Sequence, residues 1–342
     1  MAILSVLTGI AIVLTLGYGV LNGFRDASTA VAASIRTRAL RPAVAVSVAA
    51  IFAFLGTLAT TGLSVALVDK LNFNVPDGVD GLKLLICGLL TAGAWGLYCW
   101  WRGLPVSSTH ALFSGLVGAS GASAFMGDMS MSGAWGLLLG SVLLPLLVTP
   151  VIAYILSYLL VIPATWLMRH NTSRSVNNGS RAGQAITACA VALGLGLQDG
   201  QRTGAMIALV LITGHAMDPG PMTWAIQLAA GAALSLGVLL GGWRITYTLS
   251  RRLVNFDPLR GMIAQGVAAT MLFLGSLVLH LPLSTTQAVT SGIVGAGNNQ
   301  AFESVVWRNV SKVLVHWVLT PAICVAGGAI LTLAVHPLLG NA

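Results

Sequence analysis

The sequence predicts an all-α polytopic membrane protein, made of two inverted-topology repeats with broken and re-entrant helices and about 10–12 membrane segments. Three observations carry this expectation. Only 8% of the 342 residues are charged while 56% are hydrophobic, and mean hydropathy is +0.88; a soluble domain is about 25% charged. Long apolar runs alternate with short polar breaks. A sixteen-residue block recurs half a chain later. Together they exclude a cytosolic enzyme, a disordered tail and a peripheral anchor.

The apolar runs fall at roughly 3–22, 42–68, 83–101, 104–125 and 133–168, then at 183–199, 221–243, 261–280, 283–298 and 305–336. Several are interrupted by Pro or Gly, or exceed one straight crossing of ~20 residues. The first, from Met1 to Leu21, lacks a basic leading region and a small-residue cleavage site, so it reads as a retained helix. Cys87, Cys99, Cys189 and Cys324 lie in apolar runs without metal-like spacing and read as small buried hydrophobes.

Charge assigns the sides. If 42–68 runs outward from the loop holding Arg36, Arg38 and Arg41, alternation places 13 Lys and Arg inside. Only Lys70 and Lys83 fall outside, with the acids Asp69, Asp77, Asp80, Asp128 and Asp218. The net charge of +8 therefore reflects topology in a cytoplasmic membrane, and no nucleic-acid partner is expected. Five segments between the starts of the halves make the second half enter from the opposite side. The expected division is a first repeat over 1–168, a cytoplasmic linker over 169–182 and a second repeat over 183–342.

The repeat is legible in the residues. Leu104 to Ala119 aligns with Leu281 to Ala296 at ten identical positions of sixteen. A weaker pair sets Gly23-Phe-Arg-Asp26 against Gly196-Leu-Gln-Asp199. Inverted repeats are a transporter signature. After the loop charges are set aside, four charged residues remain in apolar spans: Arg25, Asp26, Asp199 and Arg202. Each costs about 2.5–3.5 kcal/mol at bilayer depth on insertion scales and marks a pathway by default. Asp199 and Arg202, spaced i and i+3, can equally be a structural ion pair. Arg25 and Asp26 are adjacent, so they diverge on a helix and each needs a partner elsewhere.

Ser107, Ser108, Thr109 and Ser284, Thr285, Thr286 follow Pro105 and Pro282 at the starts of apolar runs. One hydroxyl suffices to cap a helix, and each block supplies three. Free N–H groups with clustered hydroxyls form an oxyanion cradle, and two facing cradles suit a tetrahedral anion. His110 suits a proton relay, an anion contact or a plain bond to a neighbouring carbonyl. Gln184, Gln201 and Gln265 can reach the site from nearby helices. Trp95, Trp100 and Trp101 fit an interfacial belt, and Gly115, Gly118, Gly292 and Gly295 fit close helix packing.

These blocks resemble the inorganic phosphate transporter (PiT) family of secondary transporters. Its signatures are a Gly-Ala-Asn-Asp-Val block in each half and a Pro-Val-Ser-Thr-Thr-His block downstream. Here they stand as Asn22-Gly-Phe-Arg-Asp-Ala-Ser-Thr29, Gly196-Leu-Gln-Asp-Gly-Gln-Arg-Thr203, Pro105-Val-Ser-Ser-Thr-His110 and Pro282-Leu-Ser-Thr-Thr-Gln287. The resemblance implies a divergent bacterial phosphate or sulfate permease working by alternating access. It implies that Asp26 and Asp199 serve a coupling ion, H⁺ or Na⁺, and are the Na⁺ ligands if sodium is used, with His110 as a coupling group. The hydroxyls of 107–109 and 284–286, with Arg25 and Gln198, would contact the anion. No cofactor is implied, bacterial members can carry phosphate as a metal complex, and a homodimer is compatible. Arg25 and Gln198 replace the family Asn before each Asp, and Gln287 replaces the second His. Arg cannot ligate Na⁺ and would repel it near Asp26, so it stands in for the cation, neutralises Asp26 or contacts the anion. A passive anion channel and an intramembrane hydrolase using Ser107 or Ser108, His110 and Asp26 are the competing classes. The duplicated serine block without a second His argues against the hydrolase.

Overall fold

The computed structural model describes residues 2–72, 75–127, 136, 138–220, 222–300 and 304–339. Among the described residues there is no sheet, only an isolated bridge between Val254 and Val305. The first half comprises α1 (Ala2–Arg36), α2 (Pro42–Leu58), α3 (Gly62–Asn72), α4 (Gly78–Arg102), α5 (Ser108–Met126) and α6 (Leu144–Leu167), with a π-helical turn before α6. In the second half α7 (Ser173–Leu195) passes through a π-helical turn, Gly196–Gly200, into α8 (Gln201–Thr213). Then come α9 (Trp224–Leu240), α10 (Trp243–Tyr247), α11 (Pro258–Phe273), α12 (Thr285–Asn298) and α13 (Trp307–Leu339).

Five helical stretches are long and apolar enough to cross a bilayer alone: α1, α4, α6, α13, and α11 with its π-helical continuation to Val278. The pair α2–α3 bends by 61° and α9 with α10 and its continuation by 58°, as broken spans or re-entrant loops do. Leu147, Val151, Ile155, Leu159 and Ile162 on α6 are exposed, as are Leu314, Val318 and Ile330 on α13. Such faces need an apolar surrounding, as a bilayer supplies.

Three boundaries differ from the sequence expectation. The first run, read as ending near 22, continues as helix to Arg36. Its polar stretch is tolerated because Ser28 Oγ donates to the Arg25 carbonyl (2.7 Å) and Thr29 Oγ1 to that of Asp26 (2.6 Å), which satisfies hydroxyls inside the helix. The run at 104–125 becomes helical only at Ser108; residues 104–107 are not helical, and Ser107 is extended. The polar stretch 173–182 is helical, capped by Thr172, whose hydroxyl accepts from Ser175 N (3.3 Å). Asp128 and positions 133–135 lie outside the described residues.

The halves pack reciprocally. Helix α1 packs on α9 while α7 and its π turn pack on α2, and α5 packs on α13 while α12 packs on α6. Glycines allow these approaches. A methyl on Gly23 would overlap the Leu234 carbonyl, and one on Gly237 that of Val20. Likewise Gly56 faces the Leu193 carbonyl and Gly196 that of Ala53. Along α1 and α9 the contacts advance together, from Gly19 against Ala233 to Phe24 against Gly242, and along α2 and α7 from Ala53 against Gly196 to Thr57 against Gly200, so α1 runs parallel to α9, and α2 to α7. Consecutive spans α1 and α2, joined only by 37–41, must run in opposite directions. Helix α7 is then antiparallel to α1, which is inversion of the second half.

Because a Cβ at Gly196 meets backbone rather than flexible side chain, Gly196→Val should force α2 from α7 and cost at least about 1–3 kcal/mol. Thermal unfolding in detergent checks this, with Gly9→Ala, inside α1 and meeting nothing within 4 Å, not lowering the midpoint.

Candidate functional site

The site is assembled where α1 and the α7–α8 junction meet the first turns of α5 and α12. Non-helical segments 104–107 and 281–284, each ending on an extended serine, lead into these two helices, and each is latched by the residue preceding an aspartate. Arg25 Nη2 donates to the Val106 carbonyl (2.7 Å). Gln198 Oε1 accepts from Leu283 N (3.0 Å), and its Nε2 donates to the Leu281 carbonyl (3.3 Å). Two aromatic residues reinforce the first segment: Trp317 Nε1 donates to the Pro105 carbonyl and Tyr18 Oη to that of Ser108, at 2.7 and 2.8 Å.

With the segments fixed, the three hydroxyls of each block divide their work. Ser107 Oγ accepts from His110 N and Ser284 Oγ from Gln287 N, both at 3.2 Å, as helix caps. The remaining four reach the carboxylates or Arg202. Asp26 accepts from Ser108 Oγ (3.1 Å) and, across the repeats, from Thr286 Oγ1 (2.9 Å). Asp199 accepts from Thr285 Oγ1 (3.1 Å), the repeat mate of Ser108. Thr109, the mate of Thr286, bonds instead to Arg202, which also pairs with Asp199 and donates to Ser108 Oγ (3.0 Å). Ser108 Oγ thus lies 3.1 Å from Asp26 and 3.4 Å from Asp199, so both carboxylates face one hydroxyl.

The electrostatics are asymmetric. Arg25, Asp26, Asp199 and Arg202 are at most 2% exposed. A buried carboxylate is expensive unless paired with a cation or protonated. Asp199 has Arg202, yet among the described residues Asp26 has no ion-pair partner, because the neighbouring Arg25 points to Val106. On the same helices, buried polar atoms lack protein partners: both amide atoms of Asn22, both ring nitrogens of His110, both amide atoms of Gln287, and Nε and Nη1 of Arg25. His110 and Gln287 are repeat mates, and Asn22 stands one turn before Asp26. Such atoms are ready to meet a small polar ligand.

The structure brings Asp26, Asp199, Ser108, Thr109, Thr285, Thr286 and Arg202 into one bonded cluster. Ser107 and Ser284 spend their hydroxyls on backbone, and Arg25 and Gln198 hold the non-helical segments. Gln184, Gln201 and Gln265 sit elsewhere: they bond Thr37, the amide of Leu63 and the carbonyl of Ala30. Trp95 bonds Thr320 and Trp100 packs at a tilt against Phe24 with ring centres 5.0 Å apart, which leaves Trp101 as the exposed member of the proposed belt. Tyr18 and Trp317 were not singled out from sequence, because nothing in an apolar run marks an aromatic that bonds a distant carbonyl. No three His, Cys, Asp or Glu side chains converge as a metal site among the described residues.

The profile of the family described as "Phosphate transporter family" matches residues 22–328, which include both aspartate blocks and both hydroxyl blocks. The chain belongs to the phosphate transporter family. It is 30% identical over 336 residues to a probable low-affinity inorganic phosphate transporter of Bacillus subtilis (strain 168), covering 96% of this chain and 97% of that one. It is 32% identical over 317 residues to another so named from Rhizobium meliloti (strain 1021), covering 90% of each. A solved structure described as the sodium-dependent phosphate transporter shares the fold, with a TM-score of 0.80 at 19% identity, over 98% of this chain and 100% of that one. Membership makes the chain a multi-pass membrane transporter rather than an enzyme, and the hydrolase reading falls.

Loss of one cap should lower stability without touching the carboxylates. Ser107→Ala and Ser284→Ala should each cost about 1 kcal/mol in unfolding experiments, and a drop beyond ~3 kcal/mol in either would contradict a capping role.

Proposed function

We propose that this member of the phosphate transporter family imports inorganic phosphate by secondary active, alternating-access transport, driven by one exchangeable cation taken at Asp26. The observation that carries the reading is the asymmetry of the two carboxylates. Both face the hydroxyl blocks, but a built-in guanidinium neutralises only Asp199. An empty cycle with Asp26 ionised and unpaired is disfavoured; a proton or a sodium ion at Asp26 removes the cost and becomes coupled to the anion's arrival. Its neighbours are hard oxygen donors of Ser108 and Thr286, a set that suits Na⁺ or H⁺ better than a resident transition metal.

Phosphate is favoured over sulfate by donor and acceptor matching. The cluster offers hydroxyl and guanidinium donors for anion oxygens and, with the cation at Asp26, the Asp199 carboxylate as an acceptor. Protonated phosphate carries an O–H that can donate to a carboxylate, and sulfate carries none, so sulfate leaves a buried acceptor unmatched. The cluster is closed to solvent: Ser108, Thr109, Thr285 and Thr286 are at most 3% exposed. Helices α5 and α12, nearly wholly buried and preceded by non-helical segments, are the elements whose shifts would open it to either side.

Uptake into proteoliposomes tests the reading. Labelled phosphate should accumulate against its gradient when a sodium or proton gradient is imposed, and labelled sulfate should not. Dissipation without accumulation would indicate a channel, and equal sulfate uptake would refute the substrate assignment. Asp26→Asn should abolish cation-driven accumulation. Arg202→Thr, which puts the Thr29-type side chain in the second repeat, should steepen the dependence on cation from first order towards second order. An unchanged dependence would show that Arg202 does not occupy a cation's place.

A further inference from the structure

We propose that the cytoplasmic end of the protein carries a second anion site, a vestibule of arginines that binds a phosphate group. Arg36, Arg38, Arg181 and Arg251 line one polar cavity of about 690 Å³, walled on its apolar side by Phe256 and Pro258. The four come from different places: the last turn of α1, the loop after it, α7 of the second repeat, and the π turn after α10. Positive charge on this side is expected for topology. Convergence of four guanidinium groups on one cavity is not, because like charges at close range repel.

No acidic side chain lines the cavity among the described residues. Asp257, between Phe256 and Pro258 in sequence, is committed to Arg260: it accepts from Arg260 N at 2.9 Å and pairs with its guanidinium. The cations are also held in place. Arg36 donates to the Ser250 carbonyl and to Asn255 Oδ1, and its guanidinium stands 5.4 Å from the Phe256 ring centre. Arg251 stands 5.9 Å from the ring of Tyr247. The Nε of Arg181 is buried and has no protein partner. Arg38 has φ of 60°, a left-handed conformation in which a glycine would carry no strain and an arginine does. The turn is a helix C-cap, with Arg38 N donating to the Ile35 carbonyl (3.2 Å) and Ala39 N to that of Ser34 (2.9 Å), and it leaves the Arg38 side chain on the cavity with three other arginines.

The chemistry calls for a compact group with several charged oxygens, and guanidinium forks match a phosphate group in particular. Two sources can supply it: inorganic phosphate in the cytosol, or the phosphate of an anionic lipid headgroup. The vestibule is distinct from the buried cluster. Arg36 is ten residues beyond Asp26 on α1, roughly 15 Å along the helix.

Equilibrium binding of labelled inorganic phosphate to the full chain in phosphatidylcholine nanodiscs tests the proposal. The expected result is two classes of site, the weaker sensitive to salt. The triple variant R38A/R181A/R251A should lose the weaker class and keep the tighter one. A single class lost in the triple variant would support the vestibule and count against phosphate at the buried cluster. Nanodiscs containing phosphatidylglycerol separate the sources: loss of the weaker class there assigns the site to headgroups, and its persistence assigns it to free phosphate. Arg38→Gly, which puts glycine at the left-handed C-cap position, should weaken the class about tenfold while raising the unfolding temperature, so it decides the matter even if the triple variant fails to fold. A single class that survives the arginine substitutions, or an Arg38→Gly variant with unchanged weak binding, would overturn the proposal.

Discussion

One hydroxyl, Ser108 Oγ, stands between two carboxylates from opposite repeats, 3.1 Å from Asp26 and 3.4 Å from Asp199. Two buried negative charges so close would drive each other out of the ionised state. Arg202 relieves one, and the other is left to hydroxyls alone. Much of the surrounding architecture serves to bring these groups together. The inverted halves deliver one aspartate each, the non-helical segments deliver a helix N-terminus each, and Arg25 and Gln198 fix those segments from the residue next to the aspartate.

The repeat gives the site its outline and the departures from it give the site a direction. In a fully symmetric cluster Asp199 would hold Thr109 as Asp26 holds Thr286. Arg202 intervenes on one side, where its counterpart Thr29 only bonds back to its own helix. The π-helical turn at Gly196–Gly200 is confined to the same side; α1 passes its aspartate as regular helix. An insertion of this kind shifts side chains around a helix and often accompanies a functional position.

Much of this was legible in the residues. Low charge and long apolar runs implied the spans, and the alignment of 104–119 with 281–296 implied the repeat. The four charges left in apolar spans fell in or beside the cluster. What was not legible is direction. Spacing set Arg202, three residues from Asp199, apart from Arg25, which is adjacent to Asp26 and needs a partner elsewhere, but it did not say that this partner is the Val106 carbonyl. That partner depends on where residues 104–107 pass, which no local pattern encodes. The three hydroxyls of each block likewise look interchangeable, although the first caps its helix and the next two point to the cluster. The continuation of α1 to Arg36 escaped for a related reason: a polar stretch reads as a break unless its hydroxyls are known to fold back on the helix.

The central claim, that one cation moves with each phosphate because Arg202 has taken the place of another, is tested most directly by a thermodynamic coupling ratio. Purified protein in tight proteoliposomes would be brought to zero net phosphate flux under a series of opposed phosphate and cation gradients. The account predicts a balance point at one cation per phosphate. A balance at two cations per phosphate, or one indifferent to every cation gradient, would contradict it.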